Sequence, residues 1–375
     1  MYRLVQRRGI IGLFCLLFVA SSVVPGWAQK DNRFEVSKNL DIFNSLLKEV
    51  EMFYVDSVDV DKTVQRGIEA MLAGLDPYTE YYPEQKTEEL SLMTTGEYGG
   101  IGSLIRQRNN EGGVMIAEPT EGMPADLAGL KPGDLILAID TIDVSKATNS
   151  RVSELLKGVP NTKMVLTIQR PGEKKPRKFE ITRKQITTPQ VTYYGVKNDS
   201  IGYIYLKAFT IKSAQEVKEA FLDLKKNHNI KSLVLDLRGN GGGVLEGAVQ
   251  IVGMFVPKGS EVLSTKGKIK QWDRTYRTST EPLDTVMPLA ILINGGTASA
   301  AEIVSGSLQD MDRAVLVGQR SFGKGLVQAP RDLPYNGKVK ITMSKYYIPS
   351  GRCIQQIDYS HRKEEVKLSG IAATL

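Results

Sequence analysis

Short apolar runs alternate with amphipathic segments in the second half of this chain, from about residue 186 onward. The runs have the length of buried strands, and the segments between them repeat apolar residues at helical spacing. The predicted strands are Ile201–Leu206, Leu233–Leu237, Leu289–Ile293, Ala314–Val317 and Lys338–Tyr347, and the predicted helices are Ser213–Lys225, Leu245–Phe255 and Ser299–Gln309. This alternation predicts an α/β (α+β) core over residues 186–375, with a central β-sheet of mostly parallel strands and flanking helices.

Two regions with different sequence patterns precede this core. Residues 29–85 are predicted to be helical, because Leu40, Phe43 and Leu47 recur at helical spacing and the Gly74–Pro77 breaker follows. Between residues 86 and 185, short apolar strands alternate with turns such as Leu130–Asp134. This pattern predicts an inserted β-rich domain.

The first 28 residues are typical of a targeting signal. Three arginines precede the apolar run 9–24, and Gly26 and Ala28 supply small residues for a cleavage site. The run is shorter than the roughly 20 residues of a spanning helix, which favours a cleaved signal over a retained membrane anchor. We therefore expect an exported protein, periplasmic or membrane-associated in a bacterium.

Charge and histidine content restrict the possible chemistry. The formal charge of +7 falls to +4 without the three signal arginines, which is no argument for nucleic-acid binding. His228 and His361, the two histidines, both lie in polar stretches. A serine nucleophile would then need a lysine as its base, a known variant of the pair. Because His, Cys and carboxylates do not cluster at ligand spacing, we expect neither a metal nor another cofactor.

Ser299 is the candidate nucleophile. The apolar run Leu289–Ile293 leads through Asn294–Ala298 to Ser299, where a helix is predicted to begin. Side chains at such a junction lie at the carboxyl edge of the sheet, and the helix N-terminus offers free N–H groups to an oxyanion. The alternative is structural, since Ser299 and Glu302 also have the spacing of a capping box.

A glycine-rich segment follows another predicted strand. In Asp236–Gly243, four of the last five residues are glycine, which allows close approach of the main chain to a ligand. A plain connecting loop is the alternative. Asp236 and Arg238 are expected to be structural partners rather than catalytic groups.

Lys324 is the candidate base. Gly318 and Gly323-Lys324 have the spacing of a phosphate-binding loop, but Gly325 replaces the Ser or Thr that would hold magnesium. A strand predicted around Val327 would place Lys324 and Gln328 on one face, where Gln328 could orient the amine. Burial among neighbours such as Phe322 and Leu326 would lower the pKa of the amine, whereas a solvated loop lysine is the alternative.

Together with Leu75–Tyr82 and Tyr346–Arg352, these segments resemble the C-terminal processing peptidases, or tail-specific proteases, of the S41 serine peptidase family. The resemblance covers nearly all of residues 35–358 and implies a serine endopeptidase that cleaves exported proteins near their C-termini. It implies Ser299 as nucleophile, Lys324 as general base and Gln328 as the residue that positions the lysine. For the oxyanion hole it implies the N–H groups of Ala300 and of a glycine, with Gly243 favoured over Gly242.

The β-rich insert resembles a PDZ domain. Its predicted carboxylate-binding loop for a substrate tail is Tyr98, Gly99, Gly100, Ile101 and Gly102. The N–H groups of such a loop can capture a peptide C-terminus while the next strand pairs with the peptide. The expected partners are therefore protein or peptide substrates, bound through their C-terminal tails. A glycine turn that opens a β-hairpin is the alternative.

Two alternatives concern the whole protein. The first is a catalytically inert, PDZ-bearing adaptor on the same fold, against which the joint presence of Ser299, Lys324 and Gln328 argues. The second is an esterase of the α/β-hydrolase class, but Ser299 lacks the flanking glycines of that class. Since Leu375 follows Tyr346–Arg352 so soon, the resemblance also suggests a C-terminally short core.

Overall fold

The computed structural model describes residues 32–108 and 112–359. The predicted signal segment, residues 1–28, lies outside them. The chain divides into two compact units, Met1–Ile68 and Glu69–Leu375. Among the described residues, no helix is long and apolar enough to cross a membrane.

The first unit contains helix α1 (Arg33–Phe53), and the boundary between the units falls inside helix α2 (Val60–Ala73). No residue of α1 is buried, although Phe34, Leu40 and Phe53 are apolar. The prediction of helices here is confirmed as far as Ala73. It is wrong for strand β1 (Glu80–Tyr82), whose pairing partner lies more than 250 residues away.

The second unit continues with a short 3₁₀ turn (Glu84–Lys86) and helix α3 (Thr87–Thr95), which ends at Gly96 in the left-handed region. A two-stranded ribbon of β2 (Glu97–Gly100) and β9 (Lys184–Thr187) then carries the chain into and out of the β-rich domain.

The β-rich domain is an antiparallel sheet in the order β3-β4-β5-β7-β8, with β6 beside β5. Its elements are β3 (Ser103–Gln107), β4 (Val114–Pro119), α4 (Pro124–Leu127), β5 (Leu135–Ile139), β6 (Ile142–Asp143), α5 (Asn149–Leu156), β7 (Lys163–Gln169) and β8 (Arg177–Thr182). Alternate residues of the strands face inward, and Ile116, Ile136 and Leu166 are fully buried in a core of their own. The expected β-rich insert is confirmed.

The central sheet has the order β10-β11-β12-β15-β16, and only β10 is antiparallel. Its strands are β10 (Val191–Lys197), β11 (Ile201–Leu206), β12 (Ser232–Asp236), β15 (Leu289–Ile293) and β16 (Val315–Gly318), and its helices are α6 (Ser213–His228), α7 (Leu245–Gly253) and α8 (Ala300–Asp310). Leu235 and Ile291 are fully buried, as central parallel strands require. The predicted fold class is confirmed.

A second, antiparallel sheet has the order β1-β18-β13-β14, with β17 also paired to β18. Its strands beyond β1 are β13 (Glu261–Gly267), β14 (Arg274–Arg277), β17 (Leu326–Asp332) and β18 (Lys338–Tyr347). The strand expected around Val327 is therefore confirmed as β17. The late strand Lys338–Tyr347 belongs to this sheet and not to the central one.

Candidate active site

Ser299 lies between β15 and α8, at the carboxyl edge of the central sheet. Its backbone has φ 55° and ψ −119°, an unfavourable conformation for a residue with a side chain. Such strain persists where the surroundings enforce it, and it is concentrated at functional sites. Ser299 is half-buried, so its side chain remains accessible at the edge of the sheet.

Glu302 connects Ser299 with the lysine segment. Its carboxylate is 3% exposed and accepts three main-chain N–H groups. Oε2 accepts from Ser299 at 2.9 Å and from Lys324 at 2.8 Å, and Oε1 accepts from Gly323 at 2.7 Å. Glu302 thus caps the helix at Ser299, as its spacing predicts, and the same carboxylate also binds a loop 21 residues further along the chain.

Tyr346 on β18 holds the carbonyl groups of the same two residues. Its hydroxyl donates to the Lys324 carbonyl at 2.6 Å and lies 3.1 Å from the Ser299 carbonyl. The side chain is 1% exposed, and burial raises the pKa of its hydroxyl well above the usual range. Tyr346 therefore stays protonated, and together with Glu302 it fixes the main chain of Ser299 relative to that of Lys324.

Lys324 precedes β17, and its amine lies over the ring of Tyr78, 4.4 Å from the centroid. Burial, followed by the positive charge of Lys340, lowers the pKa of Lys324. Of the two apolar neighbours expected from the sequence, Leu326 is buried at 7% exposure, whereas Phe322 is 48% exposed. The aromatic neighbour of the Lys324 amine is thus Tyr78, a residue of the segment Leu75–Tyr82.

Gln328 occupies β17 and belongs to a hydrogen-bonded chain that leads back to Asp76. Its Nε2 donates to Thr342 Oγ1 at 3.1 Å and to the Leu326 carbonyl at 3.3 Å. Thr342 Oγ1 lies 3.3 Å from Thr79 Oγ1, which is 3.0 Å from Asp76 Oδ2. A contact between Gln328 and Lys324 would therefore use the amide oxygen of Gln328.

The expectation that Lys324 and Gln328 share one face of a strand is not supported by the structure. Lys324 lies outside β17, and the register shifts between Val327 and Gln328. A shift of this kind interrupts the two-residue period of a strand. The role of Gln328 as a positioning residue stays a prediction.

The glycine segment lies directly against Ser299. A Cβ at Gly242 would come within 2.7 Å of Ser299 Cβ and 2.9 Å of the Ala300 nitrogen, and φ is +94° there. The Gly242 N–H donates to Asn240 Oδ1 at 2.9 Å, so it is already used. Gly243 is an exposed residue, and its N–H donates to no protein acceptor within residues 32–108 and 112–359. These contacts favour Gly243 over Gly242 as the second oxyanion donor.

An ion pair between the half-exposed Arg238 and the buried Asp236 lies at the start of this glycine segment. Asp236 is 2% exposed and accepts from the Arg238 guanidinium at 2.6–3.0 Å and from the Tyr203 hydroxyl at 2.6 Å. Burial raises the pKa of Asp236, but the hydrogen bonds from Arg238 and Tyr203 outweigh it and lower the pKa overall. The predicted structural role of Asp236 and Arg238 agrees with these contacts. Among the described residues, no group of His, Cys, Asp and Glu could hold a metal ion.

The predicted tail-binding loop, Tyr98–Gly102, runs from β2 to the residue before β3. The loop is closely packed, since a Cβ at Gly99 would lie 1.8 Å from the Gly158 carbonyl and one at Gly102 would lie 2.4 Å from Met123 Cβ. Lys157, after α5, lies over the Tyr98 ring at 5.3 Å from the centroid. β3, which follows the loop, is an outer strand of its sheet.

Comparisons with known proteins agree with this architecture. Residues 200–360 match peptidase family S41, and residues 115–170 match the PDZ domain. A carboxy-terminal-processing protease of Bartonella bacilliformis is 36% identical over 345 residues, which are 91% of this chain and 77% of the relative. A probable CtpA-like serine protease of Staphylococcus aureus (strain COL) is 33% identical over 320 residues, which are 84% of this chain. The match covers 62% of that relative.

Among solved structures, a photosystem II D1 C-terminal processing protease is 29% identical, with a TM-score of 0.46 and 84% of each chain covered. The expected family and the expected PDZ domain, a peptide-binding module, are both confirmed. The chain belongs to peptidase family S41 and is a serine-type peptidase, and hence a hydrolase.

Proposed function

We propose that this peptidase cuts proteins near their C-termini, with Ser299 as nucleophile and Lys324 as general base. The observation that carries the proposal is the joint restraint of the two residues. Glu302 binds both of their main-chain N–H groups, and the Tyr346 hydroxyl contacts both of their carbonyls. Four contacts to the main chain of two residues 25 positions apart are more than a helix cap requires.

In the proposed reaction, Lys324 must be neutral in order to act. A neutral amine accepts the proton of the Ser299 hydroxyl while the oxygen attacks the scissile carbonyl carbon. The protonated amine then returns its proton to the leaving amine, which leaves an acyl group on Ser299. The same lysine then takes a proton from a water molecule, whose oxygen attacks the ester carbon. The bond to the Ser299 oxygen breaks, and the lysine returns the proton to that oxygen. Burial of Lys324, which lowers its pKa, favours the neutral form.

The tetrahedral intermediate carries a negative oxygen next to Ser299. We assign its stabilisation to the N–H groups of Ala300 and Gly243. Ala300 begins α8, where main-chain N–H groups lack helical acceptors. Gly242 supports the assignment indirectly, because a side chain there would cover the Ala300 nitrogen.

For substrate selection we propose that the PDZ domain binds C-terminal tails at Tyr98–Gly102. The adjoining β3 has an outer edge on which an extended peptide can add a strand. Helix α5 is joined to this strand, because Gln107 Oε1 accepts from the Asn149 N–H at 2.7 Å. We further propose that the protein is exported to the bacterial periplasm through its first 28 residues.

The test uses the full chain and an unstructured substrate protein with an apolar C-terminal tail. Parent protein should release C-terminal fragments, and Ser299→Ala and Lys324→Met should each lose at least about 10³-fold in kcat/KM, as removal of a nucleophile or base does. Ser305→Ala and Lys338→Met are matched controls. Ser305 is buried on the same helix as Ser299, Lys338 is a lysine of β18 that pairs with Asp332, and neither has a proposed catalytic role.

Tail recognition is tested with the same substrate carrying a C-terminal amide. Loss of the terminal carboxylate should raise KM and leave kcat nearly unchanged. If the parent binds the tail and Ser299→Ala binds it equally, but neither cuts any substrate offered, the inert adaptor describes the protein better. Equal cleavage by parent and Lys324→Met would refute the assigned base.

A further inference from the structure

The amine of Lys324 rests on an aromatic face. Its nitrogen lies 4.4 Å from the centroid of the Tyr78 ring, within the range of a cation–π contact. An aromatic face carries partial negative charge, and therefore attracts an ammonium group more than a neutral amine. The Tyr78 ring can therefore both position the Lys324 amine and change its acidity.

Other charges also act on Lys324. The positive charge of Lys340 on β18 opposes protonation, whereas Glu80 on β1, Asp76 before it and Glu302 on α8 favour it. Glu80 forms an ion pair with Lys340, so these two charges largely compensate each other. The Tyr78 ring therefore contacts the amine directly, while the surrounding charges partly cancel each other.

Tyr78 is held in place by contacts that do not involve Ser299. Its N–H donates to Asp76 Oδ1 at 2.8 Å, and the N–H of Thr79 donates to the same oxygen at 2.9 Å. Thr79 Oγ1 accepts from the Thr342 N–H of β18 at 3.2 Å, which fixes this turn on the second sheet. The Tyr78 ring meets the Tyr359 ring edge-on, with 6.0 Å between centroids. The aromatic face presented to Lys324 is therefore rigidly placed.

We propose that Tyr78 is a positioning residue for Lys324, whose ring face holds the protonated amine between turnovers and sets how readily it loses its proton. The inference rests on the proposed role of Lys324 as general base. A stronger hold on the ammonium lowers the fraction of enzyme ready to act at a given pH. A weaker hold increases that fraction but leaves the amine less well located.

The direct test measures the acidity of Lys324 without any substrate. The full chain carrying Ser299→Ala is labelled briefly with a small amine-reactive reagent at a series of pH values, and modification of Lys324 is quantified by mass spectrometry. Only the neutral amine reacts, so the midpoint of the labelling curve reports its acidity. Changes in access alter the plateau rate and leave the midpoint in place.

Three substitutions at Tyr78 separate the ring from its hydroxyl. Tyr78→Phe keeps the ring and should leave the midpoint unchanged. Tyr78→Leu removes the π-face while keeping apolar bulk, and should raise the acid dissociation constant of the ammonium about tenfold, which moves the midpoint to lower pH. Tyr78→Trp offers a stronger face and should move the midpoint to higher pH. This opposite shift keeps the proposal testable if the leucine variant does not fold.

An unchanged midpoint in both the Leu and Trp variants would overturn the proposal, as would equal shifts in the Leu and Phe variants. A leucine midpoint at higher pH would also overturn it, since that result means that the ring acts by excluding water. The same Tyr78 variants are also made with Ser299 intact. For each of them, the pH at which kcat/KM is half-maximal should shift as the labelling midpoint does, with KM unchanged. If labelling shifts as expected but no variant cuts substrate, the proposed function fails and the effect of Tyr78 on the amine stands.

Discussion

Replacing Glu302 by glutamine tests the connection between Ser299 and Lys324 most directly. The carboxylate accepts three main-chain N–H groups at 2.7–2.9 Å. A glutamine placed with its oxygen at the Oε2 position can keep the bonds from Ser299 and Lys324. Its NH₂ group then faces the Gly323 N–H, so two donors oppose each other in a buried place.

The cost follows from these contacts. One charge-assisted hydrogen bond is lost, which costs about 1.5–3 kcal/mol, and one buried donor is left unsatisfied, which costs about 1–3 kcal/mol. We expect Glu302→Gln to lower the free energy of unfolding by about 2.5–6 kcal/mol, the sum of the two costs. Because the Lys324 loop must shift to relieve the clash, we also expect kcat/KM to fall about 10²-fold, the effect of roughly 1 Å of misplacement.

The matched control is Glu216→Gln. Glu216 on α6 also accepts two main-chain N–H groups, those of Gln190 at 2.6 Å and Val191 at 2.8 Å, away from Ser299. Urea unfolding and kcat/KM should be measured for both variants at a temperature where both are folded. Both bonds of Glu216 go to Oε2, so a glutamine oxygen at that position can keep them, and the control should lose little stability and little kcat/KM. If Glu302→Gln keeps its kcat/KM, or loses no more than the control, the argument that Glu302 aligns the two residues is refuted.

Three further outcomes are expected. Tyr346→Phe removes the hydroxyl that contacts the Ser299 and Lys324 carbonyls, so kcat/KM should fall about tenfold and the free energy of unfolding by about 1–3 kcal/mol; unchanged kcat/KM would contradict this. Because burial and Lys340 lower the pKa of Lys324, kcat/KM should rise with pH to a plateau and be half-maximal below the pH of about 10.4 where a free lysine titrates; a midpoint at or above that value would exclude the lysine as base.

Asp284 has no proposed role in the reaction. Burial raises its pKa, but hydrogen bonds from Lys225 and two main-chain N–H groups outweigh this effect and lower the pKa to about 2. A lowered pKa stabilises the fold above the unfolded value of about 3.9 and this contribution disappears as the pH falls toward 2. Asp284→Asn should therefore cost about 2 kcal/mol in urea unfolding at pH 7 and clearly less at pH 3. An equal cost at both pH values would contradict the assignment.

Local sequence patterns were sufficient for the central sheet and for the location of Ser299. Buried parallel strands such as Leu289–Ile293 are apolar throughout. A serine between such a strand and the following helix must lie at the carboxyl edge of the sheet. Val327 was correctly placed on a strand for a similar reason. In each of these cases the deciding information lies within about ten residues.

The contacts that complete the site come from distant parts of the chain. Thr79 meets Thr342 across 263 positions, and Glu80–Tyr82 pair with β18 over a similar separation. No periodicity in residues 29–85 indicates that three of them form a strand of the second sheet. For the same reason Phe322, a sequence neighbour, was expected beside Lys324, whereas Tyr78 is the aromatic residue that is there.

The two proposed catalytic residues belong to different sheets, which explains why two buried polar side chains are needed between them. Ser299 follows a strand of the central sheet, and Lys324 precedes β17 of the second sheet. Apolar contacts between sheets have no direction, so they do not by themselves fix the distance between two particular residues. Glu302 from the Ser299 helix and Tyr346 from β18 make directional bonds in opposite senses, each to both residues. Loss of either side chain should therefore loosen the position of Ser299 relative to Lys324. The kcat/KM of the double variant should then fall by less than the product of the two single effects.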